Sequence, residues 1–224
     1  MICLFSSFYK VPDNILQYFD NSSEAIISFI ASDFSNYEKT DKYTRTIMSA
    51  FNDKNIKFKE VVIIDNRITK DEMKRYLSNS DFVFLHGGDT LKQIKYIKGN
   101  ELDIEIKKVK NIMGVSAGAI NLAKIVVLAR DITDNIPKLS IYEGVGVTDI
   151  NIEPHFNFYD DIHLKDIIEA SFNSKIIVMA EDTYILIDKN KEKIFGNYLE
   201  AFNGIFYLNN KEMDYEDFRK RLQK

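Results

Sequence analysis

Cysteine is almost absent from this chain: of 224 residues only Cys3 carries a thiol, so neither an intrachain disulfide nor a cysteine-based zinc site can form. Histidine is nearly as scarce. His86, His155 and His163 are too few and too scattered to make a ligand cluster, so neither a metal nor another cofactor is expected. With no tryptophan, three prolines and nine glycines, the chain has nothing of a collagenous or low-complexity composition. It also lacks a positive excess. Thirty Lys and Arg against 34 Asp and Glu give a formal charge of −4, which leaves nothing to neutralise a phosphate backbone and argues against a nucleic-acid partner. No apolar run approaches the roughly 20 residues that span a bilayer, so no membrane partner is expected. Met1 to Lys10, broken by Ser6 and Ser7, reads as a first strand rather than a secretory leader, and a cytoplasmic protein is expected.

What is present is 45% hydrophobic and 29% charged, enough for one α/β domain over residues 1–224. Runs of β-branched and aromatic residues alternate with stretches of helical spacing. Strands are predicted at Ile2–Phe5, Ala25–Ala31, Phe58–Ile64, Phe82–Leu85, Asn111–Val115, Val147–Glu153, Lys175–Ala180, Tyr184–Asp188 and Glu192–Phe195. Helices are predicted at Tyr37–Asn52, Lys70–Ser78 after the cap Thr69, Leu91–Ile97, Asp103–Lys110, Ala117–Lys124, Asp160–Ala170 and Tyr215–Leu222. Such alternation implies a three-layer α/β sandwich around a mostly parallel, doubly wound sheet. The short, closely spaced strands after Tyr184 add antiparallel hairpins at the C-terminal end.

The sharpest local pattern is Gly114-Val115-Ser116-Ala117-Gly118, between a predicted strand and a predicted helix. That is the context of a nucleophile elbow, where flanking glycines permit an abrupt turn that leaves a serine hydroxyl at its apex; the plain alternative is a tight βα turn. A second strand, Phe82–Leu85, ends in His86-Gly87-Gly88-Asp89-Thr90, whose glycines could bring a backbone N–H close to a ligand or simply lead into a helix capped by Asp89 or Thr90. A serine nucleophile needs a base. His155, just after a strand and Pro154, is the first candidate, ahead of His86 and His163. The base needs an orienting carboxylate, for which Glu181-Asp182 compete with Asp131 and Asp134. Gly87, Gly88, Ser116, His155 and Glu181 all follow strand ends, where open α/β sheets bind ligands, so all are expected on one rim.

In order and spacing, Gly87-Gly88-Asp89-Thr90, Gly114-Val115-Ser116-Ala117-Gly118-Ala119 and Glu153-Pro154-His155-Phe156 resemble the peptidase E (aspartyl dipeptidase) family, which includes cyanophycinase-like enzymes. That family is similar in fold to class I glutamine amidotransferases, with serine in place of cysteine. The resemblance implies a serine peptidase acting on short peptides, with Ser116 as nucleophile, His155 as general base and the N–H groups of Gly88 and Ala117 as oxyanion hole. It implies Glu181 as the third member, with Asp131 or Asp134 as the alternative. The sequence departs from the family in two places. Gly-Gly-Asp replaces Gly-Gly-Asn, and the segment after His155 lacks the arginine with which aspartyl dipeptidases read an acidic side chain. An esterase or amidase on the same groups, or a silent binding domain, are the competing expectations.

Overall fold

Side-chain alternation along the strands β1 (Ile2–Phe5), β2 (Ile26–Ile30), β3 (Glu60–Ile64), β4 (Phe82–Leu85) and β5 (Asn111–Val115) divides the core into two halves. In the computed structural model, which describes residues 1–132, 136–157, 160–189, 191–208 and the backbone of 211–213, these strands run parallel in the order β1-β5-β4-β2-β3. Cys3, Phe5, Ile27, Phe29, Phe82, Phe84 and Met113 face one side, whereas Leu4, Ile30, Val83, Leu85 and Ile112 face the other. Helix α1 (Tyr37–Asn52) covers the first side with Ile47, Ala50 and Phe51. Helices α2 (Lys70–Ser78), α3 (Thr90–Gly99), α4 (Leu102–Ile106) and the short α5 (Ala117–Ile120) cover the second. The first half is aromatic: Phe84 is fully buried, with the rings of Phe5, Phe8 and Phe29 at centroid distances of 6.4, 5.1 and 5.7 Å. Burying a ring of this kind contributes about 1.5–3 kcal/mol.

Beyond α5 the chain leaves this sheet. Strands β6 (Ile125–Leu128) and β7 (Ser140–Glu143) form an antiparallel pair, and β8 (Asn151–Glu153) and β9 (Ile176–Met179) run parallel beneath α6 (Asp161–Ser171). Strands β10 (Tyr184–Asp188) and β11 (Lys191–Phe195) return to the central sheet, where β10 lies antiparallel to β1. The chain then adds β12 (Tyr198–Phe202), β13 (Ile205–Leu208) and β14 (Lys211–Met213) to the second sheet, in the order β14-β13-β12-β9-β8. Leu164, Ile167 and Ala170 of α6 pack there against Ile176, Val178, Leu199, Ala201 and Phe206.

The three-layer α/β architecture with antiparallel hairpins is as the sequence predicts, and the differences are local. The helix predicted over Ala117–Lys124 stops at Ile120, because the N–H groups of Val145, Val147 and Gly146 take the carbonyls of Asn121, Leu122 and Ala123. The strand predicted over Val147–Glu153 is only Asn151–Glu153, and that predicted helix over Asp103–Lys110 is Leu102–Ile106. The β6–β7 pair was not anticipated, although Ile125-Val126-Val127-Leu128 is a β-branched run. The predicted helix Tyr215–Leu222 lies outside the described residues.

Candidate active site

Strands β1, β5 and β4 are neighbours, and their C-terminal ends deliver Ser6–Ser7, Ser116 and Gly87–Gly88 to one edge of the central sheet. Ser116 has φ 52° and ψ −120°, a backbone state that L-residues rarely hold unless the surroundings enforce it. They do so here through the two glycines. A Cβ on Gly114 would come within 2.7 Å of the Gly118 backbone, and one on Gly118 would overlap the Leu85 carbonyl, so strand, turn and helix fit together only without those side chains. The Ser116 N–H donates to the Phe5 carbonyl at 2.9 Å, and its own carbonyl accepts from Ala119 and Ile120 at 2.9 and 3.0 Å. Its hydroxyl makes no hydrogen bond among the described residues, and neither does the N–H of Ala117 or Gly88. Gly88 has φ 135°, and a side chain there would strike Ser32. Gly87 lies against the serine: its Cβ would stand 3.3 Å from the Ser116 Cβ. The Asp89 carboxylate is engaged as the cap of α3, accepting the Lys92 N–H at 2.9 Å.

A second group of side chains faces the serine from the other sheet. His155, two residues beyond β8, has φ 56° and donates its N–H to the Ser6 hydroxyl at 2.8 Å, while the Phe156 N–H reaches the Met179 carbonyl at 3.0 Å. The imidazole Nδ1 lies 3.0 Å from Glu181 Oε1 and 3.2 Å from the Ser7 hydroxyl. Glu181 also accepts from the hydroxyls of Ser7 and, at 3.3 Å, Tyr9. Burial would raise its pKa, but the Ser7 hydrogen bond, the His155 charge and hydrogen bond, and Tyr9 together hold the carboxyl below its ordinary value. An ionised carboxylate only accepts, so Nδ1 carries a proton, and in the neutral imidazole Nε2 is the nitrogen with the lone pair. Ser116 and His155 line one cavity of about 320 Å³ with Gly87 and Gly88. No hydrogen bond joins the Ser116 hydroxyl to the His155 imidazole.

A sequence profile of peptidase family S51 matches residues 5–195. The chain belongs to that family. Membership makes the protein a serine-type peptidase. No curated protein matches its sequence. Among solved structures, a Listeria monocytogenes EGD-e protein provisionally assigned to peptidase E is similar at TM-score 0.66 and 22% identity, over 88% of this chain and 98% of that one. A peptidase from an acI-B1 Actinobacterium is similar at TM-score 0.68 and 15% identity, over 95% of this chain and 93% of the other. At such identities the likeness speaks for the shared fold.

The remaining described candidates of this S51 peptidase, His86, His163 and Asp131, have other partners. His86 is buried in the cavity wall, with Nε2 3.4 Å from the Thr44 hydroxyl, and burial pushes its pKa down to about 3. His163, on α6, has Nδ1 3.1 Å from the Arg130 carbonyl and Nε2 3.3 Å from Glu153 and 3.9 Å from Asp131. Burial alone would lower its pKa, but Glu153, Asp131 and the Arg130 carbonyl lift it to about 9, so it is an imidazolium near neutrality. Asp131 is thus turned to His163 rather than His155, and Asp134 lies outside the described residues. The residues expected on one rim come from two sheets: Ser116 and Gly87–Gly88 end strands of the central sheet, His155 and Glu181 follow strands of the second, and Ser116, His155, Gly87 and Gly88 line one cavity. Ser7 and Tyr9 escaped the sequence reading. The signal that could have found them is the one used for the others, a polar residue just beyond the end of β1. Among the described residues no helix is long and apolar enough to cross a membrane.

Proposed function

We propose that this chain hydrolyses short peptides through Ser116, His155 and Glu181. The observation that carries the reading is the 3.0 Å contact of Glu181 with His155 Nδ1, which leaves Nε2 as a base on the cavity that Ser116 also lines. His155 Nε2 takes the hydroxyl proton as Ser116 Oγ attacks the scissile carbonyl, and Glu181 stabilises the imidazolium that forms. The unengaged N–H groups of Gly88 and Ala117 receive the oxyanion, each such donor being worth about 2.7–4 kcal/mol of barrier. His155 then protonates the departing amine, the acyl-enzyme forms, and an activated water releases the acid. Glu181 serves as the third member in place of Asp131, whose carboxylate is directed to His163.

The test pairs a dipeptide panel with a fluorophosphonate probe. Wild-type protein is expected to hydrolyse peptides and to be labelled at Ser116, and Ser116→Ala to lose both. Equal turnover by the two proteins removes Ser116 from the mechanism; absence of labelling and turnover in the wild type returns the chain to a silent binding domain. Turnover of aryl esters with no cleavage of peptides would favour an esterase.

A further inference from the structure

The walls of the cavity beside Ser116 are aromatic and aliphatic: Phe8, Tyr9, Tyr43, Ile47 and Val115 supply most of the side chains that face it, with hydroxyls from Ser7 and Thr46. No Asp, Glu, Lys or Arg stands among its described lining residues. From this lining we infer that the residue whose carbonyl is attacked places an uncharged, largely apolar side chain in the cavity, so that the protein is a neutral-residue peptidase and not an acid-specific one. The inference rests on the peptidase reading above. The volume of about 320 Å³ is ample for a leucyl or phenylalanyl side chain. A carboxylate brought into the same space would lose its hydration and meet no cation, which disfavours it strongly.

Two histidines line the cavity, His155 and His86, and the buried one, His86, is kept from carrying a positive charge by its surroundings. It is 1% exposed, packed against the rings of Phe29 and Tyr43, and its pKa is pushed down to about 3 by burial. Its tautomer follows from a neighbour. The Thr44 hydroxyl gives its hydrogen to the Thr40 carbonyl at 3.0 Å, so toward His86 Nε2, 3.4 Å away, it can only accept, and Nε2 carries the ring proton. Nδ1 is then a buried lone pair with no partner among the described residues. A neutral imidazole in the wall offers a carboxylate no charge to pair with. The Lys39 ammonium lies at the rim instead. It is exposed, 3.9 Å from where a Gly88 Cβ would stand and 5.6 Å from the Tyr43 ring centroid, and it is not part of the lining.

The experiment compares Asp-Leu, Asn-Leu, Leu-Leu and Phe-Leu as substrates and as protectants of Ser116 against a fluorophosphonate, so that preference is read even where turnover is slow. Leu-Leu and Phe-Leu are expected to exceed Asp-Leu at least tenfold in kcat/KM and in protection, and the isosteric Asn-Leu to exceed Asp-Leu as well. Thr46→Arg, at an exposed position of α1 on the cavity edge, is expected to narrow the gap between Asp-Leu and Leu-Leu at least tenfold. A wild-type preference for Asp-Leu, lost in Lys39→Met, would overturn the inference by assigning acid recognition to the rim, and a preference for Asp-Leu without that loss would overturn it equally. In both cases Ser116 is still labelled and peptides are still cleaved, so the peptidase reading survives. If the probe leaves Ser116 unmodified and no dipeptide is cleaved, both readings fall together.

Discussion

The two sides of the site are made of different materials. On the central sheet, position is set by backbone: Gly114, Gly118 and Gly88 leave no room for side chains, and Ser116 is held in a left-handed state by the turn they allow. On the second sheet, position is set by polar side chains that remain partly open to solvent, His155 at 37% and Glu181 at 56% side-chain exposure, joined to Ser7 and Tyr9 by hydrogen bonds. The Ser116 side, the proposed nucleophile side, is therefore sensitive to volume, and the His155 side, the proposed base side, to charge and proton position.

Replacing Glu181 by Gln tests the base side most severely. The amide removes the charge and no longer dictates which nitrogen of His155 is protonated, so kcat/KM is expected to fall on the order of 10²–10⁴-fold. The thermal midpoint should scarcely move, because the side chain is more than half exposed; a large loss of stability with retained activity would contradict the comparison. On the nucleophile side, Gly118→Ala should act in the opposite sense, costing about 1–3 kcal/mol in urea unfolding because the new methyl overlaps the Leu85 backbone. Gly99→Ala is the control: nothing stands within 4 Å of its Cβ, and a slight gain in stability is expected at this helical position.

Each side also holds a further histidine, His86 buried and His163 partly buried, and titration separates them. His86, beside Ser116, has its pKa pushed down by burial from 6.5 to about 3. Between those values the unfolded chain binds the additional proton, so stability is expected to fall as pH drops from 6.5 toward 3. His163, behind the base, has its pKa raised from 6.5 to about 9, so the stability it contributes is fully present below 6.5 and is lost as pH rises through 9. Urea midpoints at acid, neutral and alkaline pH should show His163→Gln flattening only the alkaline limb; flattening of the acid limb would reverse the assignment. The smallest effect is expected from Ser7→Ala. It removes one of several hydrogen bonds to Glu181, about 0.5–1.5 kcal/mol, and should lower kcat/KM by roughly tenfold or less.

Much of the frame was legible because its signals are local. The bounds of β1, α1, α2, β4, β5 and β10 coincide with their predicted ranges, since apolar period and caps such as Thr69 lie within each segment. The strand-turn-helix around Ser116 was legible for the same reason, five consecutive residues with a strand before and a helix after. What could not be read is partner choice. Nothing in Ile152-Glu153 or Ile176–Met179 says that these strands pair with each other and not with β1, because the decision is made by α6 and β12 packing across them. Nor could Ser7 be read as a partner of Glu181, a contact between residues 174 positions apart. Asp131 was misleading by the same measure: as an acid in a loop it suits either histidine, and the placement of α6 gives it to His163.

Glu181 occupies the short crossing by which the chain passes from the second sheet to the central one. On one bank, the Ala180 N–H and the Thr183 hydroxyl are tied to the Asn197 carbonyl at 3.0 and 2.6 Å; on the other, the Thr183 carbonyl receives the Ser6 N–H at 3.0 Å. Ser6 in turn holds the backbone of His155. The carboxylate is thus a keystone laid across a seam, and the two slabs cannot drift apart without first undoing the masonry that aims the imidazole.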